Sequence, residues 1–272
     1  MANRMDHASP PTITQVIAQL LDRGAVGVVV TVMRGPAIGS KLLLDEQDVI
    51  AGTLGNTELD ALVKTPAAEF LKSRHETRMF SVSDFAPSFP LANERLLLFE
   101  RLQPAPRLVV CGAGHVGAAL AKLASFLGYE TTLIDDRAEF LEGGRFPEEQ
   151  IKVVVADDWA TAVSDAIGNG RGVSVAVVTR GHNEDERCMQ AVVPAAPDYI
   201  GLIGSKRRTS IVIDRLREKG ATEEQLRKIH APIGLDIGAV SPEEVALAVI
   251  AEIVAVRRGA AGGSLSDWRR RA

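Results

Sequence analysis

The residues of this chain that could do chemistry gather around Gly112-Ala113-Gly114-His115-Val116-Gly117, which reads GxGxxG. In that spacing Gly112 makes a tight turn, Gly114 lets the backbone approach a pyrophosphate, and Gly117 lets a helix pack on the preceding strand. The helix that opens there would turn N–H groups and positive potential toward phosphate oxygens. Asp135, 18 residues beyond Gly117, and Asp136 next to it are placed to accept hydrogen bonds from ribose hydroxyls. An acid at that point favours NAD over NADP, although Arg137 beside it could accommodate a 2′-phosphate. The glycine fingerprint alone is weak evidence. Its weight comes from the strand expected before it and the helix expected after it, and a Rossmann-like domain with a vestigial crevice is the plainer alternative.

Three further stretches carry polar groups at places where α/β sheets hold ligands. Thr179-Arg180-Gly181-His182 and Gly204-Ser205-Lys206-Arg207-Arg208 each follow an expected strand. A glycine and a serine before a cluster of cations at a helix start suit an anion, though a solvated helix face also explains Lys206, Arg207 and Arg208. His182 could serve as an acid, a base or a ligand, or could make one structural hydrogen bond, and His115 has the same two readings. Cys111 reads as a small buried residue. His230-Ala231-Pro232-Ile233-Gly234-Leu235-Asp236-Ile237-Gly238 either reverses the chain or lines a site.

The elements that must position these groups follow from the apolar pattern. Strands are expected at Leu108–Val110, Thr131–Ile134, Val153–Val155, Val173–Val178 and Tyr199–Ile203. Between them, Leu120, Leu123, Ala124 and Leu127 define a helix stopped by Gly128, and further helices fall at Trp159–Ile167, Asp185–Val193 and Lys206–Lys219. A last helix, Val245–Val256, has Ser241 as N-cap, Pro242 at its first position and Glu244 completing a capping box. Strands alternating with helices imply a parallel sheet covered on both faces, a Rossmann-type domain. Before the prolines of Gln103-Pro104-Ala105-Pro106 lies a smaller α+β unit. Its expected elements are a helix at Thr14–Leu21, a buried strand at Val26–Val32, a hairpin around Asp45-Glu46-Gln47, a helix at Thr57–Val63 and a strand at Leu96–Phe99. The domains are therefore expected at 1–102 and 103–272.

Composition bounds the function. The 272 residues are 46% hydrophobic and 24% charged, as in a globular protein with a core, and no apolar run approaches the length of a membrane span. Met1–Pro11 lacks the pattern of a signal peptide, so a cytoplasmic location is expected. A net charge of −4 and 4% aromatic content do not suit a nucleic-acid binder, and Arg269–Arg271 reads as a solvated tail. With only Cys111 and Cys188 there is neither a disulfide framework nor a zinc motif. No nucleophile with an aligned base is visible, and about 100 residues before the Rossmann domain are few for a dehydrogenase substrate domain.

Together these motifs resemble the XdhC/CoxI family, accessory factors of xanthine dehydrogenase and related molybdenum hydroxylases. The resemblance runs from Arg107 to Arg258. It rests on Cys111–Gly117, Ile134–Arg137, Thr179–His182, Gly201-Leu202-Ile203-Gly204-Ser205-Lys206-Arg207 and Pro232–Gly238, of which the last two are the most specific. It implies a chaperone that binds the molybdenum cofactor (molybdopterin) and helps deliver it to an apo-hydroxylase, its protein partner. A homodimer is one candidate assembly. An NAD(P)-dependent oxidoreductase and a dinucleotide-sensing module are the competing readings. On spacing and resemblance together, the expected cofactor-binding residues are Gly112, Gly114, His115, Gly117, Asp135, Asp136, Thr179, Gly181, His182, Gly204, Ser205, Lys206, Arg207, Gly234 and Asp236, with no catalytic residue or metal ligand assigned. Members of the family carry a cysteine in a glycine-rich N-terminal stretch; here Gly52–Asp60 places Glu58 there, which puts any thiol-dependent step in question.

Overall fold

The structure, a computed structural model, describes residues 12–45, 49–73, 75–142, 144–147 and 150–266. The expectations for Met1–Pro11, for the hairpin turn at Glu46 and Gln47 and for the Arg269–Arg271 tail lie outside the described residues. The chain divides into two compact units, Met1–Pro104 and Ala105–Ala272.

The first unit runs α1 (Ile13–Asp22), β1 (Gly27–Arg34), β2 (Lys41–Asp45), β3 (Val49–Gly52), α2 (Thr57–Leu62), α3 (Lys64–Lys72), β4 (Thr77–Ser81) and β5 (Leu96–Leu102). Its antiparallel sheet has the order β3-β2-β1-β5-β4. Val28, Val30 and Val32 of β1 face one apolar cluster with Leu59 and Phe70 of the helices, while Val29 faces another with Val16 and Leu20 of α1. A central strand buried on both faces shows no regular polar alternation, which is why Val26–Val32 reads as a β-branched run with only Thr31 polar, itself buried. The sequence pattern did not reveal α3 and β4. Pro66 sits in the first turn of α3, and β4 leaves Thr77, Arg78 and Met79 exposed, so neither shows a clean period.

The second unit runs β6 (Arg107–Cys111), α4 (His115–Phe126), β7 (Glu130–Asp135), β8 (Ile151–Val155), α5 (Trp159–Ile167), β9 (Val173–Val177), α6 (His182–Ala195), β10 (Tyr199–Leu202), α7 (Lys206–Glu218), α8 (Glu223–Arg227), β11 (Ile229–His230) and α9 (Pro242–Arg257). All strands pair in parallel, in the order β11-β10-β9-β6-β7-β8. Val109 and Cys111 of β6 pack with α5, α6 and α7 on one face; Leu108 and Val110 pack with α4 and α9 on the other. The sheet has one strand more than expected. Ile229 and His230 pair with Ile200 and Gly201, so the stretch read as a linker or site loop begins as an edge strand. Two residues are too few to announce themselves by pattern. The capping box on α9 forms as expected, with Ser241 accepting from the Glu244 N–H and Glu244 accepting from the Ser241 N–H.

Candidate functional site

Strand order decides which loops meet. From β6 the chain moves outward through β7 and β8, then returns to β9 on the other flank of β6. Such a reversal is where open α/β sheets bind ligands, and here it falls at the carboxyl ends of β6 and β9. Along this edge lie, in order, the loops after β10 (204–208), β9 (179–182), β6 (112–117) and β7 (135–137).

The three glycines after β6 have three different reasons to be there. Gly112 has φ +114°, and a Cβ on it would come 2.6 Å from the Val178 carbonyl oxygen. A Cβ on Gly117 would fall on the carbonyl of Gly112. Both positions are therefore demanded by the chain itself. Around Gly114 a Cβ would meet nothing within 4 Å. This residue is the N-cap of α4, and no side chain caps the helix, so its first-turn N–H groups have no side-chain acceptor. Gly181 stands likewise at the start of α6 without a side-chain cap. Neither helix that follows the two strands of the switch point has a side-chain cap at its N-terminus.

Asp135 has a different task from the one expected. Its buried carboxylate accepts from the Ala113 N–H (2.7 Å) and from the Arg137 N–H, Nε and Nη2 (3.0, 2.9 and 3.0 Å). Four donors occupy its lone pairs, leaving none for a ribose. Burial pushes this carboxyl up, but the Arg137 and Ala113 hydrogen bonds outweigh it and hold the group below its ordinary range. Arg137 is equally committed, bonded to Asp135 and with its guanidinium 3.8 Å from the Phe140 ring centroid. Asp136 accepts two hydrogen bonds from Arg180, 2.8 and 3.0 Å long, which reach it from the loop after β9.

A second buried acid organises the opposite side. Asp185 is fully buried at the start of α6 and accepts from Thr179 Oγ1 (2.6 Å) and from Arg208 Nε (2.9 Å) and Nη2 (2.5 Å), while Arg208 Nη2 also donates to the Thr179 carbonyl (3.2 Å). Burial pushes the Asp185 carboxyl up, against the pull of Thr179 and Arg208. The hydroxyl of Thr179 is thus engaged inside the protein. Arg208 is a strut between α7 and α6, which separates it from Lys206 and Arg207, both exposed. Ser205 caps α7 by accepting from the Arg208 N–H (3.3 Å), and Gly204 forms the turn before it. Sequence reading missed Asp185 as a functional support, although a signal existed: Asp185, Cys188, Met189 and Val192 repeat at helical spacing, placing an acid on the buried face.

The 230–238 loop is a built chain reversal. Glu252 of α9 accepts from the Gly234 N–H (2.8 Å) and Tyr199 Oη (2.5 Å), and lies 3.3 Å from His230 Nδ1. Ile233 N–H donates to the Leu202 carbonyl (3.0 Å), holding the loop at the end of β10 beside Gly204. Gly234 is accordingly structural, and Asp236 is exposed further along the loop. His182 is exposed at the first position of α6. His115 lines a separate cavity of about 580 Å³ with Lys122, Arg145 and Glu243, between α4 and the start of α9. Another cavity, about 700 Å³, is lined by Arg107, Thr132 and Lys152 toward the amino ends of the strands, away from the glycine loop. Cys111 and Cys188 are both buried, and burial pushes the Cys188 thiol well above its ordinary range. Among the described residues no group of three or more His, Cys, Asp or Glu side chains could hold a metal ion, and no helix is long and apolar enough to cross a membrane.

Sheet order, glycine loop and open helix N-termini define a Rossmann-type domain. More narrowly, residues 108–253 match the family described as the XdhC Rossmann domain, and the chain belongs to that family. It is 35% identical over 158 residues to the YqeB protein of Escherichia coli (strain K12), covering 58% of this chain and 28% of that protein. Identity is 27% over 162 residues with a probable xanthine dehydrogenase subunit from Bacillus subtilis (strain 168), covering 60% of this chain and 46% of the relative. With the molybdenum cofactor insertion chaperone PaoD of Escherichia coli (strain K12) it is 26% over 155 residues, 57% and 41% of the two chains. The matched part spans less than half the length of each of these relatives. A crystal structure described as a xanthine dehydrogenase from Bacillus halodurans shares the fold at TM-score 0.52 and 17% identity, over 93% of this chain and 96% of the other.

Proposed function

We propose that this chain is an accessory factor that binds the molybdenum cofactor and helps deliver it to a xanthine dehydrogenase-type molybdenum hydroxylase. The observation that carries the reading is the crevice after β6, where Gly114 leaves room for a ligand backbone and α4 and α6 present uncapped N-termini. Molybdopterin ends in a phosphate, and its nucleotide conjugates carry a pyrophosphate, so either form meets a cradle of fitting chemistry. Gly112–Gly117, Gly181 and His182 would hold the phosphate side. Gly204, Ser205, Lys206 and Arg207 would supply further N–H groups and positive charge, and Asp136 and Asp236 would contribute polar contacts to the rest of the ligand. When bound, the cofactor itself supplies the dithiolene that carries molybdenum. This chain contributes binding, orientation and release. Its two thiols are buried within the core, so neither is placed to hold the metal. The names of the relatives, a cofactor insertion chaperone and a probable xanthine dehydrogenase subunit, support the same reading. Binding falls to the domain at 103–272, with 1–102 as a separate domain, and the chain acts as a binder rather than a catalyst.

The test is co-expression of such a hydroxylase with and without this chain. The expected result without it is a folded hydroxylase that contains little cofactor and has little activity. Full loading in its absence would overturn the proposal, and steady NAD(P)H turnover by the isolated chain would favour an oxidoreductase. Replacing Lys206 and Arg207 by Ala should weaken binding and flatten its salt dependence, because exposed charge contacts are screened as ionic strength rises.

A further inference from the structure

Two of the loops that frame the crevice are tied together across it. β7 and β9 lie on opposite flanks of β6. A bond between the residue after β7 and the loop after β9 must therefore pass over the end of β6, where the glycine loop begins. Arg180 and Asp136 make that bond in bidentate form, 2.8 Å from Nη1 to Oδ1 and 3.0 Å from Nη2 to Oδ2. Glu184 adds a second carboxylate, 3.3 Å from Arg180 Nη2. The other Glu184 oxygen sits where a Cβ on Gly181 would come within 2.5 Å of it, against the uncapped start of α6.

Three arginines pair with acids along this edge, and they differ in freedom. Arg137 and Arg208 hold Asp135 and Asp185, whose side chains are 2% and 0% exposed. Withdrawing either arginine would strand a buried charge, which is costly. Arg180 is 45% exposed, and its partners Asp136 and Glu184 are 27% and 22% exposed. Pairs this wet are worth little and exchange readily. The guanidinium fork that grips a carboxylate with two parallel hydrogen bonds grips a phosphate in the same way.

We infer that Arg180 is the phosphate-gripping residue of the crevice, and that Asp136 and Glu184 occupy it in the free protein as stand-ins for the ligand's anion. Binding transfers the Arg180 fork from Asp136 to a phosphate oxygen pair and opens the tie over β6. Asp136 thereby acts as a competitor whose removal tightens binding, the opposite of a ribose-binding acid. This rests on the reading of the crevice as a site for a phosphate-bearing ligand.

The experiment is calorimetric titration of the full chain with NAD⁺, with pyrophosphate and with adenosine, which lacks phosphate. The variants are Arg180→Ala, Arg180→Gln and Asp136→Asn, with thermal melts to confirm folding. Arg180→Ala should bind NAD⁺ and pyrophosphate about tenfold more weakly, the scale of one charged hydrogen-bonded contact, and leave any adenosine binding unchanged. Arg180→Gln keeps a polar side chain and gives the same loss should the alanine variant not fold. Asp136→Asn should bind both phosphate compounds more tightly than the unsubstituted chain. Unchanged affinity in the Arg180 variants, or weaker binding in Asp136→Asn, overturns this inference alone. Failure of the unsubstituted chain to bind either phosphate compound overturns the crevice reading and this inference with it.

Discussion

Two stretches of this chain look alike on paper: Gly52-Thr53-Leu54-Gly55-Asn56 in the first unit and Gly112–Gly117 in the second. Each follows a strand, turns on glycine and opens a helix. In the first, the turn closes on itself. Asp60 accepts from Thr53 Oγ1 and the Leu54 N–H, both at 2.7 Å, Thr53 Oγ1 accepts from the Gly55 N–H, and Asn56 caps α2 by accepting from the Leu59 N–H. In the second, the acid that helps is on the neighbouring strand; of the turn's own N–H groups it takes that of Ala113, and α4 has no side-chain cap. A turn that satisfies its own donors is a structural piece; a turn that leaves them unmet at the head of a long helix is ready for an anion. Glu58, where the resemblance would place a cysteine, lies exposed in the closed turn's helix.

The largest effect should come from the buried strut behind the loop after β9. Asp185→Ala leaves Arg208 without its buried partner and the Thr179 hydroxyl without its acceptor, and should cost about 3 kcal/mol of stability, seen as a lower midpoint in denaturant. A midpoint within error of the unsubstituted chain would show that the strut contributes nothing. Next, Gly114→Val has room for its side chain, so the melting temperature should hold. Nucleotide or cofactor affinity should fall about tenfold or more, because the side chain fills the approach to the backbone. Unchanged affinity in calorimetry would place the ligand elsewhere. Asp60→Ala should show the reverse, a loss of about 1 kcal/mol in stability with ligand affinity intact. If it weakened binding as much as Gly114→Val, the contrast between the two turns would collapse.

The smallest effect is in acid. Asp135 has its folded carboxyl held below the ordinary range, so it contributes stability above the unfolded value of about 4 and loses it as pH falls through the lower folded value. Asp185, raised by burial, runs the other way. Its native form takes up a proton before the unfolded chain does, so its charged state is a burden at neutral pH that acid relieves. In Asp135→Asn the decline of stability below about pH 4 should be shallower than in the unsubstituted chain, followed by circular dichroism. An identical acid limb in the two proteins would remove Asp135 from the account.

Much of this molecule is legible in its residues. Apolar period and turn chemistry set β6 to β10, the helices between them, the glycine turn and the capping box at Ser241, because these depend on contacts within a few residues along the chain. The family signature was legible for the same reason, since it is written in the short loops after the strands. What the sequence left open is the partner of each charge. Arg180 meets Asp136 from 44 residues away and Arg208 meets Asp185 from 23 away. Gly234 meets Glu252 from 18 away. Such pairings exist only because the sheet places β9 beside β6, α7 beside α6, and the 230–238 loop beneath α9. The same order turned Asp135 from a ribose ligand into the anchor of the glycine loop. Local spacing can nominate an acid for a site, but only tertiary packing decides whether its oxygens are still free when a ligand arrives.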